Sequence, residues 1–184
     1  GAEQLAPLLE ASAAAAASLL RHMAICDGAV RSRGVGTLCQ LLPPRSALAR
    51  LDLRAAQLCA AAVDALVGAA ARGALGSLVE LELGHNPLGD TPRVAALLRA
   101  GHGWPLRAVG LADCLLGADA AHALSGVLAD APARDVDALD LRANPVPHAD
   151  RLTLRDAWLT AGKPCYGVAL GSAPFGLDGP PPLP

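Results

Sequence analysis

Three short stretches of the 184-residue chain gather groups able to engage charge: Arg50-Leu51-Asp52-Leu53-Arg54, Glu80-Leu81-Glu82 and Asp140-Leu141-Arg142. In each, the charged residues alternate with leucine, so in an extended chain they share one side. Carboxylates arranged this way hold guanidinium or ammonium groups by charge-assisted hydrogen bonds. That is the chemistry of recognition rather than of bond making. His85 and Asp113 stand just beyond such stretches, and imidazole adds a group that titrates near neutral pH.

Signatures of catalysis are missing from the sequence. It contains no phosphate-binding Walker loop, no HExxH, no GxSxG and no dinucleotide fingerprint. Ser172 in Gly171-Ser172-Ala173 lacks the second glycine of a nucleophile elbow. The five cysteines, Cys26, Cys39, Cys59, Cys114 and Cys165, form no CxxC pair, and their odd number fits neither a disulfide framework nor a thiol-rich zinc site. Neither His22 nor His85 has a Cys, Asp or second His at a recognisable ligand spacing. No metal and no cofactor are expected, and the chain is expected not to be an enzyme.

Composition narrows the class of partner. The formal charge is −2 and no basic run tracks a phosphate backbone, so neither nucleic acid nor a charged membrane surface is expected to bind. Ala11 to Leu20 is apolar but has no basic segment before it, and reads as an alanine-rich helix rather than a signal peptide. No uninterrupted strongly apolar run of about 18 residues is present to span a bilayer. Reduced thiols suit a cytoplasmic or nuclear protein. With 53% hydrophobic but 2% aromatic residues, the core must be aliphatic, which suits thin repeated layers.

Those layers are written in the sequence. Leu78, Leu81, Leu83, Asn86 and Leu88 occupy the pattern LxxLxLxxNxL. Leu106, Val109, Leu111, Cys114 and Leu116 repeat it 28 residues later, and Val136, Leu139, Leu141, Asn144 and Val146 after a further 30. Leu48, Leu51, Leu53 and Leu58 fit with Ala56 in the asparagine slot; Leu20, Met23, Ile25 and Val30 fit with Gly28 there; Cys165, Val168, Leu170 and Phe175 fit with Ala173 there. Six units therefore begin at 20, 48, 78, 106, 136 and 165. The first half of each alternates with period two, as a half-buried strand must. The second half carries apolar residues at helical spacing, as in Leu124, Val127 and Leu128.

A strand-helix unit cannot cover its own apolar face, so neighbours stack into a parallel sheet backed by a row of helices. Crossover chirality predicts a right-handed α/β solenoid with strands near 22–26, 50–54, 80–84, 108–112, 138–142 and 167–170. Residues 1–19 read as a cap or half of a preceding unit, 20–176 as the repeats and 177–184 as a proline-rich tail. The tail's Pro181-Pro182-Leu183-Pro184 resembles a ligand of WW domains.

From Leu20 to about Phe175 the chain resembles leucine-rich repeats, and its long units resemble the ribonuclease-inhibitor-like subfamily, in which Asn and Cys share the slot after the strand, as Asn86, Cys114 and Asn144 do. The resemblance implies a horseshoe arc with the sheet on its concave face and helices on its convex face. It also implies that the slot side chain bonds the turn between layers, which Gly28, Ala56 and Ala173 cannot do. The concave face would then carry Arg50, Asp52, Arg54, Glu80, Glu82, His85, Asp113, Asp140 and Arg142 as the partner-binding set. Asp52 and Glu82 would lie side by side about 4.8 Å apart, with Arg50 and Arg54 close enough to neutralise them in a solvated network. Ala108, Gly110, Ala112, Ala138 and Gly171 would leave the C-terminal half of the face shallow and bare. The function expected is a protein-protein interaction module, its partner basic at the contact, within a larger complex. An architectural spacer held by its helices or ends is the alternative, and a GTPase activator a weaker one, since the acidic C-terminal region of such repeat proteins is absent.

Overall fold

The computed structural model describes residues 20–26, 28, 30–101, 103–130 and 135–171. It is an α/β chain: strands β1 (His22–Ala24), β2 (Arg50–Asp52), β3 (Glu80–Glu82), β4 (Ala108–Gly110), β5 (Ala138–Asp140) and β6 (Val168–Ala169) form one sheet in sequential order. Every pairing is parallel. Helices α1 (Arg31–Leu41), α2 (Ala60–Ala71), α3 (Arg93–Ala100), α4 (Ala118–Ala129) and α5 (His148–Thr160) alternate with them, and a 3₁₀ turn, Cys165–Gly167, leads into β6. Sequential parallel strands joined by helices are the arrangement of a repeat solenoid.

The register confirms the spacing read from the sequence. Met23, Leu51, Leu81, Val109 and Leu139 pair across successive strands, and Leu139 pairs in turn with Val168. Leu51 and Leu81 are fully buried and Leu111 equally so, in one continuous core with Leu66, Leu97, Leu124 and Trp158 of the helices. Aliphatic burial at roughly 25 cal/mol per Å² supplies the stabilisation that each three-residue strand lacks alone.

The strands are shorter than the five residues expected of the first five and the four (167–170) expected of the last, in which Gly167 belongs to the 3₁₀ turn, yet the ladder goes on past them. Leu53 N–H donates to Glu82 O at 2.8 Å and Ala55 N–H to Gly84 O at 3.0 Å; His85, Asp113 and Ala143 do the same to the next layer. What ends β2, β3, β4 and β5 is a left-handed residue, Ala55, His85, Asp113 and Ala143 in turn, with φ between 52° and 58°. His and Asp tolerate that conformation better than most side chains, which is one reason for their presence there.

Below the turn, Asn86 is wholly buried. Its Oδ1 accepts from Leu58 N–H, and its Nδ2 donates to the carbonyl oxygens of Leu53, Leu83 and Gly84. Asn144 likewise accepts from Cys114 and Leu116 and donates to Leu111, Leu141 and Arg142. Each asparagine thus ties its own turn to the preceding layer and satisfies backbone groups that water cannot reach. Cys114 fills the slot more sparely, its thiol donating to Leu83 O at 3.2 Å, and burial pushes its pKa up to about 12. Ala56 occupies the slot of its layer without side-chain bonds, as expected; Ala173, Phe175, the cap and the tail lie outside the described residues.

Candidate functional site: the charged sheet face

Strand alternation sends Leu51, Leu81, Val109 and Leu139 to the helices and the flanking residues to the opposite face of the sheet. There Arg50 pairs in register with Glu80, and Asp52 with Glu82; across β4, Gly110 separates Glu82 from Asp140. The like charges expected to be neighbours are neighbours.

The arginines resolve most of the crowding. Arg50 donates to Glu80 through Nη2. Arg54 folds back on Asp52, with Nη2 to Oδ2 at 2.6 Å and Nε to Oδ1 at 3.0 Å, while its backbone N–H also reaches Oδ1 at 3.1 Å. Arg142 repeats this clip on Asp140 at 2.6, 2.9 and 3.0 Å. The Arg54 guanidinium holds the Asp52 carboxyl at about 2, against the partial burial that pushes it up. In return the carboxylates raise the pKa of both arginines. The neutralising network is therefore present, with one correction. Asp52 is not solvated but only 8% exposed, because Arg54 covers it.

Glu82 is the exception. Gly84 stands where Arg54 and Arg142 stand in the other two layers, so β3 has no arginine to fold back. Among the described residues Glu82 makes no side-chain hydrogen bond. Its carboxyl lies over Gly110, where an added Cβ would come within 1.8 Å of Oε2 and 2.5 Å of Cδ. Burial raises the Glu82 pKa, with Glu80, Asp52 and Asp140 adding to the rise and Arg54 opposing it. The expected bare platform is thus corrected at Gly110, while Gly171 keeps open space around it. Gly110 is buried beneath the neighbouring carboxylate, and the glycine is required for that approach.

His85 and Asp113, one layer apart on the left-handed turns, meet with Nδ1 and Oδ2 at 3.2 Å and both side chains more than half exposed. His85 and Asp113 thus meet as adjacent layers of the repeat place them, although a separation of one whole repeat is no local ligand spacing in the sequence. The pair adjoins the rim rather than Glu82's strand position. Among the described residues no group of three or more His, Cys, Asp or Glu side chains is placed to hold a metal ion.

Sequence reading missed the links between layers at the helix starts. The Asp90 carboxylate accepts from Gly117, Asp119 and Ala120 N–H at 3.0, 3.3 and 2.8 Å, capping α4 from the preceding layer. Burial raises the Asp90 pKa, but these backbone donors outweigh it and the net shift is downward. Ser32 likewise accepts from Cys59 N–H at 2.9 Å before α2. No capping box signals either, since cap and helix lie 27 or more residues apart.

All five cysteines are free, Cys39 and Cys114 being buried. No described helix is long and apolar enough to cross a membrane. Compared with models of known protein families and with curated proteins, the chain finds no match.

Proposed function

We propose that the chain is a non-catalytic leucine-rich-repeat module of the ribonuclease-inhibitor-like type, a right-handed arc that binds a protein partner through its sheet face. The observation that carries this reading is Glu82. Its carboxylate is half-buried, crowded by Asp52, Glu80 and Asp140, and attracted by Arg54 without an ion pair to any arginine, whereas the equivalent aspartates on β2 and β5 each form one. A guanidinium or ammonium from a partner relieves that crowding and meets an acceptor already fixed in place. The partner is therefore a protein with Arg or Lys at the contact, and the module a subunit of a larger intracellular complex, where its free thiols persist.

Exposed opposite charges act chiefly through steering, so Glu80→Gln with Glu82→Gln is expected to slow association about tenfold at low salt and flatten its salt dependence. Cross-linking must be directed at carboxylates, because Lys163 is the sole lysine. Partner cross-links concentrated on Glu80, Glu82 and Asp140, and lost in Glu82→Lys, support the proposal. Cross-links confined to α1 to α5, or an association rate unchanged in the double substitution, reject it in favour of an architectural spacer.

A further inference from the structure

Charges on the sheet face from β2 to β5 almost cancel. Arg50 holds Glu80 across the strands, Arg54 clips Asp52 and Arg142 clips Asp140. Three arginines thus answer three carboxylates, and Glu82 is the fourth. β4 contributes Ala108, Gly110 and Ala112 to this face and no charge. Arg54 attracts Glu82 from β2, but its Nε, Nη2 and backbone N–H all bond Asp52. With Glu82 ionised, the face between Arg50 and Arg142 carries one uncompensated negative charge. With Glu82 protonated it carries none.

The surroundings oppose ionisation. Glu80 lies two residues away on the same strand, Asp52 stands opposite in register on β2, and Asp140 lies beyond Gly110 on β5. The Glu82 carboxyl is set down on Gly110, where an added Cβ would fall 1.8 Å from Oε2, so backbone stands where water would otherwise solvate the charge. Burial and these three carboxylates push its pKa above the ordinary 4.5, against the pull of Arg54. Asp52, its neighbour in register, is held at about 2. The clipped carboxylate therefore stays charged through the range in which Glu82 takes up its proton. Protonation of His22, in register with Arg50, or of His85, beside Asp113, adds positive charge and acts in the same direction.

We propose that Glu82 is a proton-operated switch of the sheet face: ionised, it supplies the net charge that holds a basic partner; protonated, it leaves the face balanced and that partner unheld. This rests on the reading of the face as a docking surface. By linkage, a guanidinium that prefers the ionised form lowers the Glu82 pKa on binding, and its association expels a proton wherever the free chain holds one. The free group's pKa is raised, so the binding strength present at neutral pH is lost as pH falls through that raised value. An ordinary glutamate would lose it only in stronger acid.

Hexaarginine, a peptide whose side chains stay charged throughout, is the probe. Its affinity for the intact chain and for Glu82→Gln is measured at low salt from about pH 7.5 down to 4.5, the ordinary glutamate value. The Glu82 carboxyl chemical shift is followed over the same range with and without saturating peptide. At the neutral end the unaltered chain is expected to bind about threefold more tightly than Glu82→Gln. That ratio is expected to fall more than halfway to one by pH 4.5, where more than half of Glu82 is protonated. The Glu82 midpoint is expected above 4.5 in the free chain and lower with peptide bound. A ratio that holds constant down to pH 4.5, or a free midpoint at or below that value, overturns the switch and leaves the docking face in place. A ratio of one at the neutral end overturns both. Should Glu82→Gln fail to fold, the unaltered chain decides: a midpoint lowered by hexaarginine supports the switch, and an unmoved midpoint overturns it.

Discussion

Asp52 and Glu82 sit side by side in register, each on the sheet face between two buried leucines, yet their electrostatic states are opposite. Two residues further on, Asp52 has Arg54 and Glu82 has Gly84. The first carboxylate is clipped by four hydrogen-bonding contacts and held at about 2; the second rests on Gly110 and is pushed up by burial and like charge. β5 repeats the first solution with Asp140 and Arg142. Identical strand geometry therefore does not confer identical chemistry. The side chain two positions along decides whether a carboxylate is clipped by an arginine or is left crowded on the sheet face.

The largest effects should show that the contrast stops at the surface. Leu81→Ala beneath Glu82 and Leu111→Ala beyond β4, both 0% exposed, are each expected to cost about 2 to 5 kcal/mol in urea unfolding. Leu115→Ala, at a position 52% exposed, should stay within about 0.5 kcal/mol. A markedly cheaper Leu81→Ala would carry the difference between the strands into the core.

Next in size is the clip. A carboxyl held at about 2 instead of its ordinary 3.8, with its side chain 12% exposed, contributes roughly 2 kcal/mol. Because the folded pKa is depressed, this stability is present above pH 4 or so and lost as pH falls toward 2. Arg54→Ala should remove most of it and flatten the acid limb of the stability curve. Arg142→Ala should cost less, since the Asp140 side chain is more exposed, at 27%. If the two arginine variants unfold with the same midpoint and the same acid limb as the unaltered chain, the clips are ornaments of the surface.

Glu82→Gln should move stability the other way, upward by about 1 kcal/mol, because it removes a like charge from a crowded face. The sign follows from a raised folded pKa: ionised Glu82 opposes folding, fully so above that pKa, and protonation relieves the penalty as pH falls through it. The gain should therefore fade in acid, where the unaltered chain carries the proton itself. A loss of stability at neutral pH would mean that Glu82 is paired after all.

The smallest effect tests whether the contrast can be erased. Gly84→Arg places on β3 the arginine that β2 and β5 possess; its Cβ meets Ala112 O at 3.3 Å, a close contact expected to cost a few tenths of a kcal/mol. Titration followed by carboxyl chemical shifts should then find Glu82 below its former value, and partner association should weaken without loss of fold. An unmoved Glu82 would show that the distance to residue 84, rather than its identity, sets the difference.

The sequence by itself determined the layered α/β architecture, the parallel order and the register, because LxxLxLxxNxL repeated at 28 to 30 residues specifies which side chains must be buried together. It also marked Asn86, Cys114 and Asn144 as turn residues and the alternating charges as a shared face. Only the tertiary structure decided which of those charges are satisfied, since pairing depends on side-chain reach across 4.8 Å strand spacings and on the room that a glycine leaves. Nothing local in Glu82 or Gly110 announces that one lies upon the other. The same holds for His85 with Asp113, Asp90 with α4, and Lys163 with Val136. Each joins residues a full repeat apart, which stacking alone makes neighbours.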